Sequence, residues 1–383
     1  MDEQDERWIA REEALQRLGV KIQTLYAYVS RGRIAARPHP ADPRRSLYAA
    51  NDVARLTGAP GAAATLFHPG AAAGRGEAEI RSSQSVIADG RLFYRGLDAV
   101  QLSQSATMED LARRLWDARD VNPFANLKPR VTAALGPSPR ARLMQALARR
   151  ADEDAGRTPG DLIAEAASVL DEAVDAAAGP GPRLRLHQRL VRGWRAPESE
   201  GDLIRRAIVL AADTPDGPAI TATRAAAAGG AGLAGSLLAG VATLTGAAST
   251  REVARASDYV IQARRDPAGA ARQVIARGER FGYGDARFPK GDPRAAALLD
   301  AGALPSDWAR VVQAGAEATG QAPALPIALA AVARKADLPK DGAHDLWLVA
   351  RMVGLLGHAL DQTRDGSPMR ARVRYVGPGP GAH

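Results

Sequence analysis

LWLVARMVGLLGHALDQ, residues 346–362, is the stretch whose reading decides the fold. It is apolar through most of its length and closes a run that reads as helix, almost without interruption, from the end of a hairpin to about Asp365. The breaks in that run fall at proline and glycine clusters, at 136–139, 158–160, 179–182, 215–218, 289–293 and 322–326. Before it, SVIADGRLFYRGLDAVQL (85–102) reads as two short strands around Asp89-Gly90, a strong turn signal. Beyond it, Met369–Val376 reads as a short strand or extended segment. No solenoid-period repeat is present. A mainly α protein is the expectation.

Toward the N-terminus the character changes. GAPGAAATLFHPGAAAGRG (58–76) is a linker by composition. Residues 7–57 form a separate small unit. Arg11–Leu18 has helical spacing at Ala14, Leu15 and Leu18, and Gly19-Val20 makes a turn. Gln23–Arg31 reads as a second helix, with Leu25, Tyr26 and Val29 on one face and Gly32 as its stop. A hairpin over Ile34–Tyr48 follows, then a third helix capped by Asn51. Helix, short turn and helix is the helix-turn-helix pattern. The expected division is 1–57 for this domain, 58–77 for the linker and 78–383 for the body.

Composition excludes several chemistries. The 383 residues contain no cysteine, so disulfides, thiolate metal sites and cysteine nucleophiles are ruled out. The six histidines stand apart, none paired at metal-ligand spacing, and no metal is expected. A net charge of +8 favours anionic partners. MDEQDERW at the start is acidic and resembles neither a secretory signal nor a transit peptide. Ala225–Leu244, the longest apolar stretch, is rich in alanine and glycine and reads as one buried helix rather than a membrane span. A cytoplasmic protein without membrane contact is the expectation.

Five segments in order give the body a family likeness. They are LFYRGLDAVQL (92–102), IRRAIVLAADTPDGPAITATR (204–224), FGYGDARFPKGDPRA (281–295), LWLVARMVGLLGHALDQ (346–362) and MRARVRYVGP (369–378). Together they resemble the citrate synthase family. The resemblance implies a two-domain helical body, with the smaller domain at about 245–325 and a cleft between the two. LGVKIQTLYAYVSRGRI (18–34) and DPRRSLYAANDV (42–53) resemble the winged helix-turn-helix of excisionase and MerR-like proteins.

The family condenses acetyl-CoA with oxaloacetate by acid–base work of positioned histidines and a carboxylate. Aligned on its motifs, this chain has Thr214 after Asp213, Ser249 in the glycine-rich loop, Asp285 in Gly-Tyr-Gly-Asp and Pro326 at the general base. The resemblance therefore implies loss of the catalytic set. Its carboxylate-binding arginines align with Arg294, Arg351 and Arg370. They mark either a surviving pocket for a di- or tricarboxylate or ion pairs that hold a homologous fold. Converging guanidinium groups repel in a cleft, so a ligand or an acid such as Asp285 must balance them. His358 reads as a packed, hydrogen-bonded core residue.

In the N-terminal unit, Lys21, Gln23 and Thr24 open the second helix, and Arg31, Arg33, Arg44 and Arg45 supply charge where bases and phosphates would be contacted. Tyr26 is expected in the small core, and Tyr28 and Tyr48 near a DNA backbone. The leading expectation is a non-catalytic regulator or partner subunit that binds a carboxylate or acyl-CoA, with no resident cofactor. It would act as a homodimer, or as a hetero-oligomer with an active citrate synthase paralogue, and through DNA. The alternative is an acyltransferase with acetyl-CoA or another acyl-CoA as substrate and Asp285 as rebuilt base.

Overall fold

The computed structural model describes residues 8–18, 20, 22–30, 34–39, 42–50, 52–53, 80–128 and 135–369, the side chains of 27, 30, 43, 44, 248 and 249 excepted. The chain divides into two units, Met1–Phe67 and His68–His383.

In the first unit, strand β1 (Trp8–Ala10) leads into helices α1 (Arg11–Leu18) and α2 (Ile22–Ser30), then strands β2 (Ala36–His39) and β3 (Asp42–Ala49). The sheet order is β1-β3-β2, both pairings antiparallel. Ile9, Ala14, Leu25, Ile34, Tyr48 and Val53 form its core. The periodicity located both helices and the hairpin. Strand β1 escaped it, because three residues are too few to show alternation. Two tyrosines trade places relative to expectation: Tyr48 is buried at 2% exposure, while Tyr26 is 48% exposed. Leu25 takes the inward position on α2, and its neighbour Tyr26 therefore turns outward. Arg37 stacks on Trp8, 4.3 Å from the ring centre. Of the third helix, Ala50, Asp52 and Val53 lie among the described residues, and its expected cap, Asn51, lies outside them.

The second unit opens with an antiparallel meander, β4 (Ser85–Ala88), β5 (Arg91–Tyr94) and β6 (Leu97–Asp98). The third strand extends the expected hairpin by a two-residue pairing of Phe93 with Asp98 and Tyr94 with Leu97. Helices follow: α3 (Ala99–Ser103), α4 (Met108–Leu115), α5 (Pro139–Glu153), α6 (Leu162–Ala178), α7 (Leu186–Gly193) and α8 (Gly201–Ala211). Next come α9 (Pro218–Ala228), α10 (Leu233–Leu244), α11 (Ala247–Gln262), α12 (Pro267–Ala276) and α13 (Pro293–Gly302). The series ends with α14 (Ser306–Thr319), α15 (Leu325–Lys335) and α16 (Gly342–Asp365).

The mainly α expectation holds. Ala225–Leu244, however, is the end of one helix and the whole of another. Gly229 caps α9, and Gly230 takes a left-handed φ of 86° before α10 begins. Alanine-rich periodicity carried no sign of this corner. Met369–Val376, from Arg370 onward, lies outside the described residues.

Helix α16 is the axis of the body. It is buried along nearly its whole length, packing against α8, α9, α10, α15 and α4. Two glycines permit that closeness. A Cβ on Gly354 would lie 2.4 Å from Asp213 Oδ1 and 2.6 Å from the Ala212 carbonyl, and one on Gly357 would lie 2.4 Å from Gln84 Oε1. No described helix is long and apolar enough to cross a membrane.

Candidate ligand cavity

Three stretches of chain supply most of the charged lining of one cavity of about 460 Å³. The first is the turn after α8. Tyr94 donates its hydroxyl proton toward the last carbonyls of that helix, 3.0 Å from Val209 O, and so fixes where it ends. Asp213 then points inward at 1% exposure. Ser85 Oγ donates to its Oδ2 at 2.6 Å, and His358 Nε2 lies 3.3 Å from the same oxygen. Arg224 donates to His358 Nδ1 from 3.3 Å, which leaves the ring proton on Nε2, facing Asp213. His358 is thus the packed core histidine its sequence context suggested. Burial pushes the Asp213 carboxyl up, but His358 and the Arg351 guanidinium outweigh it and hold it below the usual carboxylate range.

The second stretch is the loop 281–292. Gly282 and Gly284 adopt φ of 95° and 70°. A Cβ on Gly282 would lie 2.6 Å from the backbone nitrogen of Ile327, so only glycine lets this loop lie against the start of α15. Gly284 N donates to Ala322 O and Ala324 N to Gly282 O, at 2.9 and 2.8 Å. That contact brings Asp285 into the cavity with Pro326. Both oxygens of Asp285 are taken by Arg287, through Nη2 at 2.6 Å and Nε at 2.9 Å. Arg287 Nη1 donates onward to Thr214 Oγ1 at 2.8 Å. Burial alone would raise Asp285; the hydrogen bonds and charge of Arg287 hold it below its ordinary range.

Seven residues on, the same device recurs. Asp292 caps α13 and accepts from Arg294 Nε at 2.9 Å and Nη2 at 2.8 Å, and from the Leu325 amide at 3.1 Å. Arg294 stacks on Phe288 at 4.7 Å, with Asp285 Oδ2 3.9 Å from its Nη2.

The third stretch is α16, which contributes Trp347 and Arg351. Arg351 reaches Asp213 Oδ1 at 3.4 Å, and burial lowers its pKa. Glu252 on α11 also lines the space; burial raises its carboxyl above the usual range, against the pull of Arg280.

Five of the residues singled out in the sequence, Thr214, Asp285, Arg294, Pro326 and Arg351, therefore line one cavity. Ser249 stands in the first turns of α11, its side chain outside the described residues, and Arg370 lies outside them altogether. Arg287 and Glu252 were missed. Arg287 had a legible signal: Asp285-Ala286-Arg287 repeats the Asp-x-Arg spacing of Asp292-Pro293-Arg294. Among the described residues, no group of three or more histidine, aspartate or glutamate side chains is placed to hold a metal ion.

In the first unit, Gln23 and Arg45 are exposed and Thr24 is half-buried. Lys21, Arg31, Arg33 and the side chain of Arg44 lie outside the described residues.

A family model described as citrate synthase, C-terminal domain, matches residues 117–372, two thirds of the sequence. The chain belongs to the citrate synthase family. Solved citrate synthases share its fold. That of Pyrobaculum aerophilum superposes with a TM-score of 0.63 at 18% identity, over 79% of this chain and 91% of its own. The Thermoplasma acidophilum enzyme, solved as a ternary complex with carboxymethyl coenzyme A and oxaloacetate, gives 0.60 at 16% identity, over 78% and 94%. The Thermotoga maritima MSB8 enzyme gives 0.59 at 17%, over 78% and 93%. No curated protein matches this sequence. At these identities the structures speak for the fold; the chemistry has to be argued from this chain's own side chains.

Proposed function

We propose that this family member is a non-catalytic binding protein, a ligand-holding subunit or regulator built on the citrate synthase fold. One observation carries the reading. Two of the positions where the family resemblance puts histidines, Thr214 and Asp285, are tied together by a single guanidinium, that of Arg287. Pro326, at the position of the general base, has no proton to give or take. It sits in the first turn of α15, a place proline fills because the N–H there has no helical partner. Asp285 is a poor substitute base. Both its oxygens accept from Arg287, and its pKa is held down, away from the range a base near neutrality needs.

The lining favours binding over turnover. A second cavity of about 640 Å³ adjoins the first, with Arg280, Gly284, Asp285 and Ala286 lining both, which places further room for a ligand next to it. The Thermoplasma acidophilum relative holds a coenzyme A derivative on the same fold, which adds to this reading. A bound state would pass to a partner, either DNA through the basic N-terminal unit or a histidine-complete paralogue.

Thiol release from acetyl-CoA with oxaloacetate tests the catalytic half. Each acid or base is worth about 10²–10⁴ in rate, and losses within one unit do not multiply. Release at the level of a protein-free control is expected. Turnover that vanishes in Arg294→Ala would overturn the reading and restore a working site. A gel shift whose strength falls steeply with salt tests the DNA arm.

A further inference from the structure

Three helices of the body begin around one further cavity, of about 360 Å³. Arg140 is the second residue of α5, Thr250 the fourth of α11 and His344 the third of α16, and all three line it. Gly246 and Asp341, which precede α11 and α16, make no side-chain cap bond, so both helices open without that usual acceptor. A helix start carries about half a positive charge, and its N–H groups point outward. This cavity shares no lining residue with the one around Arg351. Helix α11 lines both: Glu252 and Val253 face that one, and Thr250, Ala254 and Ser257 face this one.

His344 adds an independent sign. It is 7% exposed. Arg140 Nη1 donates to its Nδ1, which leaves the ring proton on Nε2. Burial and Arg140 push its pKa down to about 4, against the Leu244 carbonyl, so the ring is a neutral donor. Nε2 has no hydrogen-bond partner among the described residues, and a buried donor of this kind is normally satisfied by a ligand or ordered water. Arg140 also stands 3.6 Å from Asp345 and donates to Asp341 at 3.2 Å, while Lys340 pairs with Asp258 at 3.2 Å. Asp341, Lys340 and Asp258 are 60%, 72% and 45% exposed, and ion pairs so open to water contribute little, so an anionic ligand displaces them at small cost. Thr245, Thr250 and Ser257 donate their hydroxyl protons to the Ala242, Gly246 and Val253 carbonyls. Each hydroxyl oxygen therefore keeps lone pairs for a ligand's own hydroxyls.

We infer that this cavity binds a phosphate monoester with a hydroxylated body, its phosphate on Arg140, Lys340 and the His344 Nε2–H at the helix starts, its hydroxyls on the threonines and Ser257. A guanidinium, an ammonium, an imidazole N–H and helix N-termini together form a donor set matched to phosphate oxygens. About 360 Å³ lies at the lower end of the usual range for small-molecule sites, roughly 300–1,000 Å³. The inference stands whether or not the first cavity turns over a substrate.

Isothermal titration of the full chain with glycerol 1-phosphate, inorganic phosphate and glycerol, at one ionic strength, tests it. Glycerol 1-phosphate is expected to bind about tenfold or more tightly than glycerol, and more tightly than inorganic phosphate. Arg140→Gln should weaken it by about tenfold, with the variant's fold checked by its melting curve. Lys340→Gln, at an exposed position, is the second variant and should weaken it by about fivefold. Arg280→Gln, at the rim of the first cavity, should leave it unchanged. Glycerol binding as tightly as its phosphate, inorganic phosphate binding as tightly or more so, affinity that depends on Arg280 and is indifferent to Arg140 and Lys340, or no binding of any of the three overturns the inference.

Discussion

The loop 281–292 and helix α16 handle charge in opposite ways. In the loop, Asp285 is held below its ordinary pKa and Arg287 above its own, each by the other against the cost of burial. On α16 burial wins. It lowers Arg351 and raises Asp345 to about 6, because the partners of both, Asp213 and Arg140, stand back at 3.4 and 3.6 Å. The difference is one of sequence distance. An aspartate two residues before an arginine brings its partner with it, whatever the rest of the fold does. A charge whose partner comes from another element depends on how those elements pack, and α16 packs for apolar contact.

If that contrast is sound, Asp292→Asn should be the most damaging change. It strips a bidentate partner from a buried arginine and weakens the cap of α13, at a cost of about 4 kcal/mol in denaturant melts. Asp213→Asn should cost less, about 2 kcal/mol, since an amide still accepts from Ser85 and Arg351 loses only a loose contact. The reverse order would break the comparison.

The pH dependence sharpens it. Asp345 has a folded pKa above its unfolded one, so its contribution is full below about pH 4 and lost as pH rises toward about 6. Burial drives this; Arg140 and Arg142 oppose it and Asp341 reinforces it. Asp345→Asn should therefore gain on the parent across that window, by no more than about 3 kcal/mol, and run parallel to it above pH 7. Asp285 has the opposite sign: its contribution is full above about pH 4 and lost as pH falls through its depressed folded value. Asp285→Asn should accordingly lose its disadvantage only in acid. The smallest effect expected is that of Thr214→Val, which removes one acceptor from Arg287 for about 1 kcal/mol or less. A larger loss would mean that the Arg287 bridge, rather than the Asp-x-Arg pairing, holds the loop.

The sequence carried the helical body, the small N-terminal unit and five of the lining residues. Long periodic helices and motifs with fixed spacing are local facts, and local facts survive in one dimension. What it hid was non-local. Arg287 reaches Thr214 from 73 positions away, and Glu252 faces the cavity from a helix whose pattern reads as ordinary surface. The corner at Gly229–Gly230 was masked by alanine on both sides, which suits a continuing helix as well as a broken one. Tyr26 was misplaced because an aromatic residue fits either side of an amphipathic helix until its neighbour, Leu25, claims the inner one, and Tyr48 because which face of a short strand turns inward depends on what packs against it.

Pro326 has a consequence for how freely its position can change. The first turn of a helix accommodates proline and also welcomes a carboxylate, which the helix dipole favours. Exchange between the two there is a nearly silent event for folding. A chain can pass from carboxylate to proline at this position, or back, without going through an unstable ancestor.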